Sequence, residues 1–275
     1  MAPGGLAVGG GGIGIAAVVV YLLITLLSGG GGGLGQLAPL DEQQVGQGDT
    51  PSEVSQECQS GEDANERQDC RIVAVVNSVQ SFWDGVFQRS NRRYPYVDTV
   101  FFTEQVQTQC GLASSQVGPF YCPRDQLVYI DLGFFDELQS RLGAGGAPFA
   151  QAYVIAHEYG HHVQNQLGIL DRIGNDRQGP ESRAVRSELQ ADCYAGVWAG
   201  NAVENGLIEE LTQADINDGL DTASAIGDDR IQEQTQGQVS PESWTHGSSE
   251  QRRRWFSRGY EERRPAACDT FSGSI

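Results

Sequence analysis

The stretch Ala156–Gln164, A-H-E-Y-G-H-H-V-Q, constrains the fold of this chain more than any other. It holds three of the four histidines among 275 residues. His157 and His161 stand four residues apart, so on a helix they share one face, one turn apart. That spacing lets two imidazole nitrogens meet one metal ion at about 2 Å. A chance H-E-x-x-H on an ordinary helix is the competing explanation. The helical, largely apolar setting and the scarcity of histidine elsewhere favour the metal.

Glu158 stands beside His157 and reaches past the metal to a water. As a general base it takes the proton when that water attacks a carbonyl, then passes it to the leaving amine. Once the catalytic water is counted, two histidines leave a tetrahedral zinc one protein ligand short. Downstream, S-E-L-Q-A-D (Ser187–Asp192) again places two acids four apart, Glu188 and Asp192, within an alanine-rich helical pattern. An exposed acidic face is one reading of such a pair. The neighbours Ala191, Ala195, Gly196, Val197 and Ala199 argue for burial instead, where unpaired carboxylates are costly and require a cation. Glu188 is therefore the expected third ligand, with Glu181 and His246 as rivals. Asp192 is expected to accept a hydrogen bond from a ligand histidine's outer nitrogen and fix its tautomer.

H-E-Y-G-H-H-V-Q, S-E-L-Q-A-D and T-H-G-S-S-E-Q-R-R-R-W-F (Thr245–Phe256) resemble segments of the neutral zinc metallopeptidases, a family of membrane-anchored bacterial proteins. Cys110–Asp131 is similar to that family as well, and the resemblance spans roughly residues 50 to 270. It implies a zincin fold, a peptidase-like site, one zinc per chain and an N-terminal anchor. The S-E-L-Q-A-D match is also similar to gluzincin peptidases, which implies Glu188 as third ligand and Asp192 as its supporter. A charged leader before the anchor is expected of the family, and here none precedes it.

The remaining candidates are weaker. His162 points away from the His157–His161 face and is expected in the core or behind the ligands. His246 is a candidate catalytic residue that donates a hydrogen bond to the oxyanion; helix capping or packing is the alternative. Tyr129 is a candidate for a strand that lines the cleft and pairs with extended substrate, or an ordinary strand aromatic. For Cys193 a disulfide is favoured over a thiolate ligand.

From Met1 to Leu40 the sequence carries no charged residue, and Leu6–Leu27 gives 22 uncharged residues, enough to cross a bilayer core of roughly 30 Å as a helix. A single-pass anchor over residues 1–28 is the expected reading, against a cleaved signal peptide or a buried helix. Residues 29–57 have the composition of a flexible linker. All six cysteines follow the apolar run, with no C-x-x-C. Two 12-residue spacings suggest Cys58–Cys70 and Cys110–Cys122, which leaves Cys193–Cys268; six free thiols are the alternative. Disulfides would place the domain in an oxidising space, on the extracytoplasmic side of the cell membrane. The formal charge of -18 argues against nucleic acid as a partner.

Residues 58–275 read as one α+β domain, helix-dominated, zincin-like and with a small sheet. Periodicity predicts helices over Cys70–Ser90, Phe134–Leu142, from Pro148 through the histidines, and over Glu181–Asn205 with Gly206 closing it. Strands are expected over Val97–Val106 and Gln126–Asp131. Ser248 and Gln251 form a capping box for a short helix through Trp255. The function expected is zinc-dependent hydrolysis of a peptide or protein substrate. A non-catalytic zinc-stabilised binding module and a cell-wall peptide amidase are the alternatives; an intact Glu158 speaks against the first.

Overall fold

Buried helices around the histidine segment organise the molecule. In the computed structural model residues 58–143, 147–206 and 208–275 are described. The expected anchor and linker, residues 1–57, lie outside them. No helix among the described residues is long and apolar enough to cross a membrane.

A short helix α1 (Gly61–Glu66) starts at a Ser60–Asp63 capping box and leads into α2 (Gln68–Arg89), whose apolar side buries Val79, Phe82 and Trp83. The chain then forms β1 (Thr99–Phe102), β2 (Gln105–Thr108), β3 (Gly111–Ser114), β4 (Phe120–Cys122) and β5 (Leu127–Asp131). β5 pairs in parallel with β1 and antiparallel with β4, giving the order β1-β5-β4, while β2 and β3 form a separate hairpin. The single strand expected over Val97–Val106 is thus two. Glu104 takes a left-handed φ of 64° and Gln105 N–H donates to Thr103 O at 2.7 Å, so the chain turns and changes sheet.

Six further helices follow among the described residues. α3 (Phe134–Leu142) has the expected bounds. α4 (Pro148–Gln166) opens on Pro148, whose fixed φ suits a first turn and whose missing N–H would be unpaired there. α5 (Arg183–Asn201) begins where Ser182 Oγ accepts from Val185 N–H. It ends before the expected Asn205, and Gly206, at φ 79°, belongs to the turn beyond it. α6 (Gln213–Ala225) and α7 (Asp228–Gln236) were not anticipated; a Thr212–Asp215 capping box starts the first. The Ser248–Gln251 box does start α8 (Ser249–Glu262), which runs past Trp255.

Glycines set how closely these helices cross. A Cβ on Gly160 of α4 would stand 3.1 Å from Ala191 Cα of α5, and a Cβ on Gly259 of α8 would overlap the Cys193 carbonyl of α5. Around the crossings lies a core of large side chains that includes Trp83, Tyr153, Trp198 and Phe256, with Trp83 edge-on to Tyr194 at 5.1 Å. A second, smaller cluster packs Phe102, Phe120 and Tyr129.

Three disulfides join the pairs expected from the spacing: Cys58–Cys70, Cys110–Cys122 and Cys193–Cys268, with Cα separations of 5.1, 5.9 and 5.6 Å. The last closes 75 residues and straps the C-terminal segment to α5. The arrangement is the helix-dominated α+β domain with a small sheet that the sequence led us to expect.

Candidate metal centre

α4 and α5 pack side by side, and that packing brings His157 and His161 from one helix against Glu188 from the other. One ligand atom from each of the three lies within 4.8 Å of the other two. His157 Nε2 is 3.2 Å and His161 Nε2 3.5 Å from Glu188 Oε2, with the two rings perpendicular. A tetrahedral zinc with bonds of 2.0–2.1 Å separates its ligand atoms by about 3.3–3.4 Å. The donor set therefore fits zinc both in type and in spacing.

Charge points the same way. Glu158, Glu188 and Asp192 are all buried, and Arg252 is the one buried arginine among the described residues. Burial alone would push His157 down, but Asp192 and Glu188 outweigh it and push the imidazole up to about 10. Burial would likewise raise Glu188, yet the histidines hold it well below the usual carboxylate range. Three buried carboxyls against one guanidinium leave a pocket that holds further positive charge, as protons on the histidines or as a metal ion in their place.

Both histidines of the cluster are held from behind. His157 Nδ1 is 2.8 Å from Asp192 Oδ1, the bond expected from the sequence. Asp192 also accepts from Tyr153 Oη–H at 2.5 Å and from Arg252 Nε and Nη2, each at 2.9 Å. Burial opposes its charge, but Arg252 and His157 hold Asp192 far below the usual range. His161 Nδ1 is 2.8 Å from Gln164 Oε1. Gln164, fully buried, then donates to Ser187 O and Gln190 Oε1, and Gln190 donates to Cys268 O at 2.8 Å. In both histidines Nδ1–H is the donor that these acceptors require, which turns Nε2 toward the cluster, where a metal can bind in exchange for its proton.

Glu158 stands apart from the three donors and lines the same cleft. Its Oε2 accepts from Tyr121 N–H of β4 at 2.9 Å. Burial raises its pKa above the ordinary value, outweighing the nearby histidines.

His246 also lines the cleft, with Nδ1 3.1 Å from Asp228 Oδ1. Asp228, the first residue of α7, accepts three backbone N–H groups through Oδ2, from Thr245, His246 and Gly247. Burial works against its charge, but His246 and these donors hold it below the usual range.

Other sequence candidates fall outside the cluster. Glu181 is at the surface, its side chain 67% exposed and 3.8 Å from Arg186. Cys193 is in a disulfide. His162 does point away: its Nε2 is 2.9 Å from Pro95 O, its Nδ1 is 3.2 Å from Tyr121 Oη, and burial pushes it down to about 4. Tyr129 sits on the central strand β5, both of whose edges are taken, and the outer strand that leads out of the cleft lining is β4. Sequence reading missed Gln164, Arg252, Tyr153 and Asp228. Gln164 lay within the quoted motif, but its residue type carries no metal signal. Arg252 stands in a run with Arg253 and Arg254, both exposed, and nothing in the run distinguishes it.

Comparison with known proteins follows the same line. An uncharacterized protein of Mycobacterium tuberculosis is 47% identical over 225 residues, covering 79% of this chain and 75% of its own. The uncharacterized protein YpfJ of Escherichia coli strain K12 is 40% identical over 217 residues, covering 77% and 74%. No solved structure matches the chain. The model of one family, described as "Putative neutral zinc metallopeptidase", matches residues 1–271. With that match over nearly the whole length, and two histidines and a glutamate at zinc spacing, the chain belongs to this zinc metallopeptidase family.

Proposed function

We propose that the chain is a zinc-dependent peptidase holding one zinc ion through His157, His161 and Glu188. The observation that carries this reading is the convergence of their three donor atoms at tetrahedral spacing, beside a buried carboxyl, Glu158, that is not among them. Zinc bound there would polarise a peptide carbonyl and bring the pKa of a water down to about 7.

The chain's own groups do the rest. Glu158 takes the proton of the attacking water and gives it to the leaving amine. Burial raises its proton affinity, and the bond from Tyr121 N–H to Oε2 leaves Oε1 for the water. With Nδ1 of His246 engaged by Asp228, Nε2 is the nitrogen that donates to the developing oxyanion. Asp192 and Gln164 fix the ligand tautomers, and Arg252 neutralises Asp192. The substrate is a peptide or protein. We place the domain on the extracytoplasmic face, held by the apolar segment Leu6–Leu27; the three disulfides support an oxidising compartment.

Glu158→Gln tests the mechanism. The variant should keep its zinc and lose about 10²–10⁴-fold in turnover of a quenched fluorescent peptide library. Retained turnover would remove Glu158 from the chemistry.

A further inference from the structure

β4 is an outer strand of its sheet, and Gly118 and Pro119, which lead into it, line the cleft with Glu158. A free strand edge normally offers alternating N–H and C=O groups on which an extended peptide can build a further strand. On β4 the donors are gone. Phe120 and Cys122 pair with Tyr129 and Leu127 of β5. Between them Tyr121 turns its N–H outward, and Glu158 accepts it. The next outward positions on either side are Pro119 and Pro123, which have no N–H to give. Gly118 N–H turns back to Ser115 O at 3.3 Å. From Gly118 to Pro123 no backbone N–H remains for a substrate.

The cleft offers something else beside the metal-binding residues. Val117, Phe134, Val154 and Ile226 line it and present apolar surface. Resting on the peptidase reading above, we propose that the cleft takes a short peptide segment through one apolar side chain next to the cleaved bond, and not a long chain added as a strand to β4. The edge of β4 therefore gives an extended substrate no donor to pair with. Pro119, Pro123 and the Tyr121–Glu158 bond are thus determinants of specificity. An extended polypeptide, which needs donors from the edge it joins, gains little by lengthening.

Hydroxamates test this without a known substrate, because the hydroxamate group binds zinc by itself. The dissociation constants of acetohydroxamate, a leucine-derived hydroxamate, and the latter extended by two and by four alanines are measured on the zinc-loaded full chain. The leucine side chain should tighten binding by about tenfold or more, and the added residues should change it by less than about threefold. A steady gain with each added pair of residues, with little from the leucine, would overturn the inference and leave the peptidase reading standing. Failure of even acetohydroxamate to bind would overturn the reading and the inference together.

Discussion

A buried glutamine holds one of the two histidines of the candidate zinc site. Gln164 Oε1 is the acceptor for His161 Nδ1, while its amide N–H groups bond Ser187 O and Gln190 Oε1 across to α5. Such partners keep the ring oriented and its outer nitrogen protonated. Gln164→Leu keeps the bulk and removes the acceptor, so zinc affinity should fall about 10–100-fold, as read by competition with a chromophoric chelator. An unchanged affinity in a folded variant would reduce Gln164 to a packing residue. At this scale the sequence showed what obeys one helix turn. His157 with His161, and Glu188 with Asp192, are each four apart, so one period puts both members on one face. Gln164 and Arg252 obey no such rule. Arg252 meets Asp192 from 60 residues away, and Asp228 meets His246 only because the chain loops back over 18 residues.

Helix crossings carry those residues to their places. α5 and α8 touch backbone to backbone where Gly196 faces Phe256 O and Gly259 faces Cys193 O, and this contact lets Arg252 of α8 reach Asp192 of α5. Gly259→Ala would force a methyl into the Cys193 carbonyl, and overpacking of this kind should cost about 2–3 kcal/mol or more in denaturant unfolding. Gly61→Ala, with nothing within 4 Å of the added atom, should stay within about 0.5 kcal/mol. Equal stability of the two variants would show that the α5–α8 contact can relax. Helix starts were readable because capping chemistry is local: Pro148 and the Ser248–Gln251 box both stand where expected. Strands were less so. The turn at Thr103–Glu104 contains neither glycine nor proline, and β4 has three residues, too few to show a period.

Across the whole molecule the centre sits where α4, α5 and α8 meet, with β4 supplying the N–H that Glu158 accepts. Cysteine spacing had indicated the three staples, and the longest ties the C-terminal segment to α5. In a chain-entropy account, closing so long a loop contributes about 4 kcal/mol by restricting the unfolded chain. Composition and periodicity were enough for a helix-dominated domain, because both are averages over many residues. The cleft was beyond them, since it depends on which faces of distant elements meet. Whether His157, His161 and Glu188 hold one zinc is decided by the metal content of the purified chain beside Glu188→Ala, by elemental analysis after exhaustive buffer exchange. One zinc per chain is expected, lost or greatly weakened in the variant. A folded, unmutated chain that retains no zinc when supplied with it would mean that the three residues serve the fold alone, and the peptidase reading would fall with them.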